Sequence, residues 1–332
     1  MSIKDLRVIA LSLVILAMPT VAFGQPPAQL RTVGVLSAAP ATDRTSSLYQ
    51  QAFEGGLSEL GWRPGHNIRL EYRYADGKPE RLEGLAHDLV RLGVDVIVAR
   101  ATSAIRAAKR VTTTTPIVMS ASGRDPIEAG FITSLARPGG NVTGLTLLNE
   151  VIAIKQIELL KELVPRLSRV AVLRGPVPQY DERDRQRLDA AAASLGLQLQ
   201  HVAVQQAGDL DKIVADAAGA RVGALLIRGD PSVLEPNAPR IVALALKHRL
   251  PAVYWLRSYV PAGGLMSYGT DLVDVHRQSA RYVDKLLRGA RPADLPVEEP
   301  TKLALVLNTN TARAIGLTFP PSLLARADEI IQ

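Results

Sequence analysis

Polar and aromatic residues follow the apolar segments of this chain at recurring places, and their types suit the binding of a small molecule. In the first half they are Ser37, Thr102, Ser103, Ser120 and Asp125. In the second half they are Tyr180, Asp230, Trp255, Tyr268 and Gly269. Short polar side chains beside helix amino termini bind anionic or zwitterionic ligands well. Single residues also have a structural explanation, since a serine such as Ser103 can simply cap the helix that follows it.

The sequence lacks the motifs that are typical of covalent catalysis and of metal binding. There is no glycine-rich phosphate loop, no Gly-x-Ser-x-Gly segment and no cysteine. The five histidines are isolated from one another, so none forms a pair at metal-ligand spacing: His66, His87, His201, His248 and His276. We therefore expect no metal, no cofactor and no enzymatic activity.

The elements that must position the polar residues can be predicted from hydrophobic patterning. Residues 94–99 and 222–227 are short apolar segments that turn polar abruptly, which indicates strands buried on both faces of a parallel sheet. Each half of the chain shows strands alternating with helices, with Pro116 and Pro251 entering the last strand of the first and second repeat. This order predicts an α/β fold with two doubly wound parallel-sheet lobes. Ligands bind at the carboxyl ends of such strands, so we expect the two strand edges to face each other across a cleft.

The amino terminus has the pattern of a secretory signal peptide. Lys4 and Arg7 precede an apolar run over residues 8–21, and the small residues Ala22 and Gly24 mark a cleavage site after residue 24. A membrane anchor is the alternative, but the run is shorter than the ~20 residues that a spanning helix needs. A lipid-attached bacterial protein needs a cysteine just after the signal, and this sequence has none, so we expect a freely diffusing periplasmic protein. The net charge of +7 is spread over scattered residues, which does not indicate nucleic-acid binding.

Several longer segments resemble one family, the exported substrate-binding proteins of bacterial ABC importers that include the tryptophan-type binding protein. The segments that carry the resemblance are residues 52–62 (AFEGGLSELGW), 65–68, 71–73, 135–144 (LARPGGNVTG), 158–165, 262–269 (AGGLMSYG) and 320–329. The resemblance implies a type I periplasmic-binding fold with two lobes joined by three hinge crossovers. The expected lobes are residues 31–146 with 267–290, and residues 147–266 with 296–332. Two departures from the family pattern add cations, Arg124 and Arg174, which favour a ligand with a carboxylate.

The resemblance also implies a function. We expect a monomeric receptor that captures an amino acid or related carboxylate and delivers it to permease subunits in the inner membrane. A carboxylate would meet hydroxyl groups and backbone amides, an ammonium group would meet Asp125 or Asp230, and Tyr180 or Trp255 could stack on an apolar part. The alternatives are an exported sensor that signals through a membrane receptor and, less favoured, an α/β enzyme. A DNA-binding repressor with the same core needs a helix-turn-helix before the first strand, where the sequence leaves no room.

Overall fold

Two sheets with helices on both faces build the protein. The computed structural model describes residues 30–42, 44–147, 149–176, 182–300 and 302–332. The expected signal peptide and Tyr180 lie outside the described residues. No helix among the described residues is both long enough and apolar enough to cross a membrane.

The first lobe is a parallel sheet of five strands in the order β2-β1-β3-β4-β5. Its strands are β1 (Arg31–Ser37), β2 (Ile68–Tyr74), β3 (Val96–Arg100), β4 (Ile117–Ser122) and β5 (Val142–Thr146). Its helices are α1 (Arg44–Glu59), α2 (Leu82–Arg91) and α3 (Ala101–Val111). All five residues of β3 are buried, as expected for a central parallel strand covered on both faces.

The second lobe has seven strands in the order β12-β11-β10-β9-β8-β6-β7. They are β6 (Arg169–Arg174), β7 (Gln198–Ala203), β8 (Ala224–Ile227), β9 (Ala252–Tyr254), β10 (Met266–Thr270), β11 (Leu303–Asn308) and β12 (Glu329–Ile331). Its helices are α4 (Asn149–Leu163), α5 (Glu182–Ser194), α6 (Leu210–Gly219), α7 (Ala238–Lys247), α9 (Thr309–Ala314) and α10 (Pro321–Arg326). Only the β10–β11 pair in this order is antiparallel.

The chain passes between the lobes three times. It leaves the first lobe after β5, returns after β10 with the long helix α8 (Leu272–Leu287), and crosses again through residues 288–302 to β11. Helix α8 packs against α1 and β4 of the first lobe. Strand β10 pairs with β9 and β11, so residues 267–270 belong to the second sheet rather than to the first lobe, where the sequence placed them. The second crossover therefore lies at Asp271, because β10 extends the second sheet before the chain turns into α8.

The alternation of side chains along the strands decides what faces α1 and α8. Val33 and Val35 of β1 belong to the buried cluster that contains Tyr49 and Phe53 of α1 and Val275 of α8. Ser37 continues the same alternation at the end of the strand. The apolar positions therefore build the core of this face, and the last position on the same face of β1 is polar. The predicted α/β fold with two doubly wound lobes is confirmed.

Candidate ligand-binding site

A cavity lies between the carboxyl ends of the two sheets and receives residues from both lobes. Its first-lobe lining includes six polar or aromatic residues: Ser37, Ser46, Tyr49, Arg100, Ser120 and His276. Its second-lobe lining includes Gly229, Pro231, Glu235 and Trp255. The space between the lining atoms is about 610 Å³, including the part that is open to solvent.

Strand pairing places the polar residues of the first lobe in one row. Ser37 is in register with Tyr74 on one side and with Arg100 on the other, and Arg100 is in register with Ser120. Residues in register on parallel strands point to the same face of the sheet, so this row faces α1 and α8. Three members of this row, Ser37, Arg100 and Ser120, line the cavity from the adjacent strands β1, β3 and β4.

Arg100 is the central charge of this wall. Its side chain is buried, and none of its three guanidinium nitrogens has a hydrogen-bond partner among the described residues. Tyr74 is near enough to interact electrostatically, but its hydroxyl is hydrogen-bonded to Gln50 and makes no hydrogen bond of normal geometry to Arg100. Burial lowers the pKa of Arg100 from its ordinary 12.5, yet arginine stays charged in proteins at neutral pH. The cavity therefore contains a buried cation without a counter-ion among the described residues.

The groups that pack beside Arg100 are neutral. His276 of α8 lies with its Nδ1 2.6 Å from the Ser120 hydroxyl, which is also 2.9 Å from the hydroxyl of Ser279. The ring of His276 lies 4.3 Å from the ring of Tyr49, centroid to centroid. Burial, and then the charge of Arg100, hold the pKa of His276 well below its ordinary 6.5. His276 therefore contributes a neutral imidazole to the wall at neutral pH.

This lowered pKa makes the protein's stability depend on pH. The unfolded chain takes up a proton at His276 near pH 6.5, whereas the folded protein keeps the imidazole neutral until a lower pH. We expect the free energy of unfolding to be highest above pH 6.5 and to fall below it, by up to about 1.4 kcal/mol per pH unit. Urea unfolding at pH 7.5 and 5.0 should show a smaller difference for His276→Gln than for the wild type. The exposed His87→Gln is the control; an unchanged pH dependence in His276→Gln would contradict the prediction.

Two residues at the same edge of the sheet have a strained backbone conformation. Ala101 and Ala121 each have a φ of 66°, in the left-handed region that side chains other than glycine rarely adopt. Both residues line the cavity, immediately after Arg100 and Ser120. Such conformations cost about 1–3 kcal/mol each and are common at functional sites. Ala101 begins α3 directly after β3, and Ala121 lies at the irregularity in the pairing of β4 with β5.

Trp255 is the main aromatic surface that the second lobe contributes. A Cβ atom on Gly229 would lie 3.0 Å from Cδ2 and Cε3 of the indole, so the glycine lets the ring pack directly on the backbone. Glu235 reaches the cavity from the turn that follows Gly229 and is 8% exposed. Among the described lining residues, it is the single carboxylate.

The structure brings part of the predicted set together. Ser37, Ser120 and Trp255 line the cavity. Thr102 does not line the cavity but contacts a residue that does. Its hydroxyl accepts a hydrogen bond from the backbone N–H of the lining residue Gly123 at 3.0 Å. Ser103 is buried in the first turn of α3, and its hydroxyl has no hydrogen-bond partner among the described residues.

The two predicted ammonium ligands are instead turn-capping residues. Asp125 is exposed, and its Oδ1 accepts hydrogen bonds from the backbone N–H groups of Ile127 and Glu128 at 2.7 and 3.1 Å. Asp230 is fully buried and accepts hydrogen bonds from the hydroxyl of Ser232 and from the backbone of Val233 and Leu234. The ammonium-binding role predicted for both is corrected accordingly, since these carboxylates are used by their own turns.

The fixed position of Asp230 is also clear from its neighbour. A Cβ atom on Gly175 would lie 2.0 Å from its Oδ2, so the backbone after β6 closes over the carboxylate. Burial raises the pKa of Asp230 above its ordinary 3.8, and the hydrogen bonds from the turn oppose that rise. Its neighbours Gly229 and Pro231 line the cavity, so Asp230 shapes the wall without presenting its charge to it.

Two further predicted residues lie in the second sheet rather than at the cavity wall. The Tyr268 side chain packs against the second-lobe cluster that contains Met266 and Leu305. A Cβ atom on Gly269 would lie 2.2 Å from the carbonyl oxygen of Trp255, so this glycine permits the close approach of β10 to the residue after β9. Neither residue is among the lining residues of the cavity.

Sequence reasoning did not select four residues that line the cavity: Tyr49, Arg100, Glu235 and His276. Arg100 had a usable signal, because it is a lone cation directly after the apolar residues of β3. No sequence signal identifies Tyr49 or His276 as site residues. Each is a single residue on an amphipathic helix, and the sequence does not show which strands that helix packs against. The added cations Arg124 and Arg174 do not appear among the lining residues.

The described part of the chain contains no candidate metal-binding site. No group of three or more His, Cys, Asp and Glu side chains is placed there to hold a metal ion. What the cavity offers is one buried cation, neutral hydroxyl and imidazole groups, an indole and one carboxylate. This donor and acceptor set is suited to binding a small polar molecule between two lobes.

The chain is similar in sequence and fold to several known proteins. A tyrosine-binding protein from Clostridioides difficile (strain R20291) is 23% identical over 269 residues, which are 81% of this chain and 76% of that protein. The crystal structure of an ABC domain from Streptococcus pneumonia in complex with L-Trp has a TM-score of 0.82 and 26% identity, covering 91% of this chain and 99% of that one. A conserved domain protein from Vibrio cholerae has a TM-score of 0.84 and 27% identity, covering 91% of this chain and 100% of that one.

These similarities show the type I periplasmic-binding fold that the sequence led us to expect. Residues 38–331 match the family described as ABC transporter substrate binding protein. The match covers both lobes and all three crossovers. The chain therefore belongs to the ABC transporter substrate-binding protein family.

Proposed function

We propose that this protein is the exported receptor of an ABC importer and that it captures a small carboxylate, an amino acid or a related compound, between its lobes. The observation that carries the proposal is the buried guanidinium of Arg100, which has no hydrogen-bond partner among the described residues. The tyrosine-binding relative and the L-Trp complex support an amino acid as the type of ligand. On this proposal the protein binds its solute without covalent chemistry.

The energetic argument follows from the burial of Arg100. An ion removed from water loses several kcal/mol of solvation, and a counter-ion with good hydrogen bonds recovers that loss. A carboxylate matches the planar guanidinium with two parallel hydrogen bonds. The described first-lobe wall beside Arg100 supplies only hydroxyl groups and a neutral imidazole, and the one lining carboxylate, Glu235, belongs to the second lobe. We therefore infer that the solute supplies the negative charge at Arg100.

The second lobe offers groups that can bind the rest of the solute. Trp255 offers an aromatic surface to a flat or apolar part of the solute. Glu235 is the single carboxylate among the described lining residues, so we propose that it, in place of Asp125 and Asp230, receives an ammonium group. A zwitterionic amino acid would thus be held by opposite charges from the two lobes.

Binding groups on both lobes imply a closing motion. A solute that contacts both walls binds the closed form more tightly than the open one, and this difference in affinity shifts the equilibrium. We propose that the permease recognises the closed form and that the signal peptide at residues 1–24 directs the protein to the periplasm. The three crossovers after β5, after β10 and before β11 are the segments that would act as hinges.

An ion pair across the cleft supports this closed form. Glu128 of the first lobe lies 3.6 Å from Arg183 and 3.8 Å from Arg187 of the second lobe. We expect Glu128→Gln to raise the solute dissociation rate about 2- to 5-fold, because exposed ion pairs contribute roughly 0.2–1 kcal/mol. Stopped-flow measurements at low salt test this, and the effect should shrink at high salt.

A matched control exists within the first lobe. Glu83 forms an ion pair of the same 3.6 Å length with Arg110, but both residues are in the first lobe. Glu83→Gln should leave the dissociation rate unchanged. Equal effects of the two variants would show that the Glu128 ion pair has no specific role in closure.

A thermal-shift screen of the purified protein tests the proposed function. The panel contains amino acids, aliphatic and aromatic carboxylates, and uncharged analogues such as the corresponding amides and alcohols. A ligand present at 100 times its Kd should stabilise the protein by about 2.7 kcal/mol and raise its Tm in a dose-dependent way. We expect shifts from carboxylates and none from their amides; shifts restricted to uncharged compounds would overturn the proposal.

A further inference from the structure

The cavity contains a second donor without a partner, and it comes from the opposite lobe. The indole Nε1 of Trp255 is buried and has no hydrogen-bond partner among the described residues. The other lining residue with this property is Arg100. Both groups can only donate hydrogen bonds. In the described part of the cavity, each lobe therefore has one buried donor that needs a hydrogen-bond acceptor.

The position of the indole is fixed by the backbone around it. Its ring packs on Gly229, where a Cβ atom would come within 3.0 Å, and its carbonyl oxygen lies against Gly269, where a Cβ atom would come within 2.2 Å. The Gly229 contact restricts the ring, and the Gly269 contact holds the backbone that carries it. The donor is thus held in place before the solute arrives, which favours a ligand that satisfies it.

We propose that the solute carries a second hydrogen-bond acceptor in addition to its carboxylate, and that Trp255 selects for it by donating from Nε1. The matching class is a carboxylate with a further carboxylate, hydroxyl or carbonyl oxygen at its other end. An ammonium group cannot accept this bond, so any ammonium of the solute lies at Glu235 instead. The inference rests on the proposed function, since it takes the carboxylate at Arg100 as given.

Matched ligand pairs provide the test. Calorimetric titration of the purified protein would compare butanoate with succinate, 3-phenylpropanoate with 3-(4-hydroxyphenyl)propanoate, and phenylalanine with tyrosine. In at least one pair we expect the member with the second acceptor to bind about 10- to 100-fold more tightly, because its partner leaves the buried N–H unpaired. In Trp255→Phe, which keeps an aromatic ring but lacks the donor, this preference should fall below about 2-fold.

A second variant protects the test against a folding defect. Gly229→Ala places a methyl group against the indole and should weaken the same preference by shifting the ring, while Trp255 itself remains present. A preference that persists in both variants, or a wild type that binds both members of every pair equally, would overturn the inference. These outcomes leave the proposed function intact, because that function is overturned separately, by a thermal-shift screen in which only uncharged compounds shift the Tm.

Discussion

Replacing Arg100 with methionine is expected to abolish solute binding and, at the same time, to stabilise the ligand-free protein. Removing one partner of a buried charge pair costs about 2–5 kcal/mol, so the affinity should drop by about 30- to 5,000-fold. In the ligand-free protein the guanidinium has no hydrogen-bond partner within the described chain. A methionine of similar length fills the space without that cost, so we expect the free energy of unfolding to rise by about 1–4 kcal/mol. Calorimetric titration and urea unfolding measure the two effects.

Arg100→Lys is the matched control, because lysine keeps the positive charge but lacks the planar guanidinium group. It should bind more weakly than the wild type and more tightly than Arg100→Met, because an ammonium group cannot form the bidentate pair with a carboxylate. Unchanged affinity in Arg100→Met would place the solute elsewhere. A loss of stability in the same variant would show that Arg100 has a structural partner outside the described residues.

Asp230→Ala is expected to destabilise the protein by about 2–4 kcal/mol and to leave solute binding nearly unchanged. The substitution removes the acceptor of the backbone N–H groups of Val233 and Leu234, and buried donors without partners are costly. An ammonium-binding role predicts the opposite result, lost binding with normal stability. Urea unfolding, together with titration at a temperature where the variant is folded, separates the two roles.

The comparison variant is Asp125→Ala. Asp125 caps a turn in the same manner but is exposed, so water can replace its hydrogen bonds to the backbone. We expect a loss of about 0.5–1.5 kcal/mol. Comparable losses in the two variants would contradict the account of Asp230 as a buried cap.

The sequence predicted the two lobes because strand and helix periods are local properties. The apolar residues before Arg100 predicted β3, and its polar end predicted the edge where a ligand would bind. The register that aligns Ser37, Arg100 and Ser120 is a property of strand pairing, which a single sequence does not specify. For this reason Ser37 and Ser120 could be named from the sequence, whereas their alignment with Arg100 could not be predicted.

The incorrect assignments share one physical cause. Asp125 and Asp230 follow strands or loops at the expected edge, but an aspartate in such a place can accept hydrogen bonds from its own turn. Whether its carboxylate faces the turn or the cleft depends on the path of the backbone, as the close approach of Gly175 to Asp230 shows. His276 was overlooked for the converse reason, since its partner Ser120 is 156 residues away in the sequence.

A crystal structure of the protein purified with its natural solute would test the central claim most directly. The account predicts a carboxylate whose two oxygens lie within hydrogen-bond distance of the Arg100 guanidinium, in a cavity closed by both lobes. A solute bound with Arg100 unengaged, or an acidic side chain of the protein paired with Arg100, would contradict it.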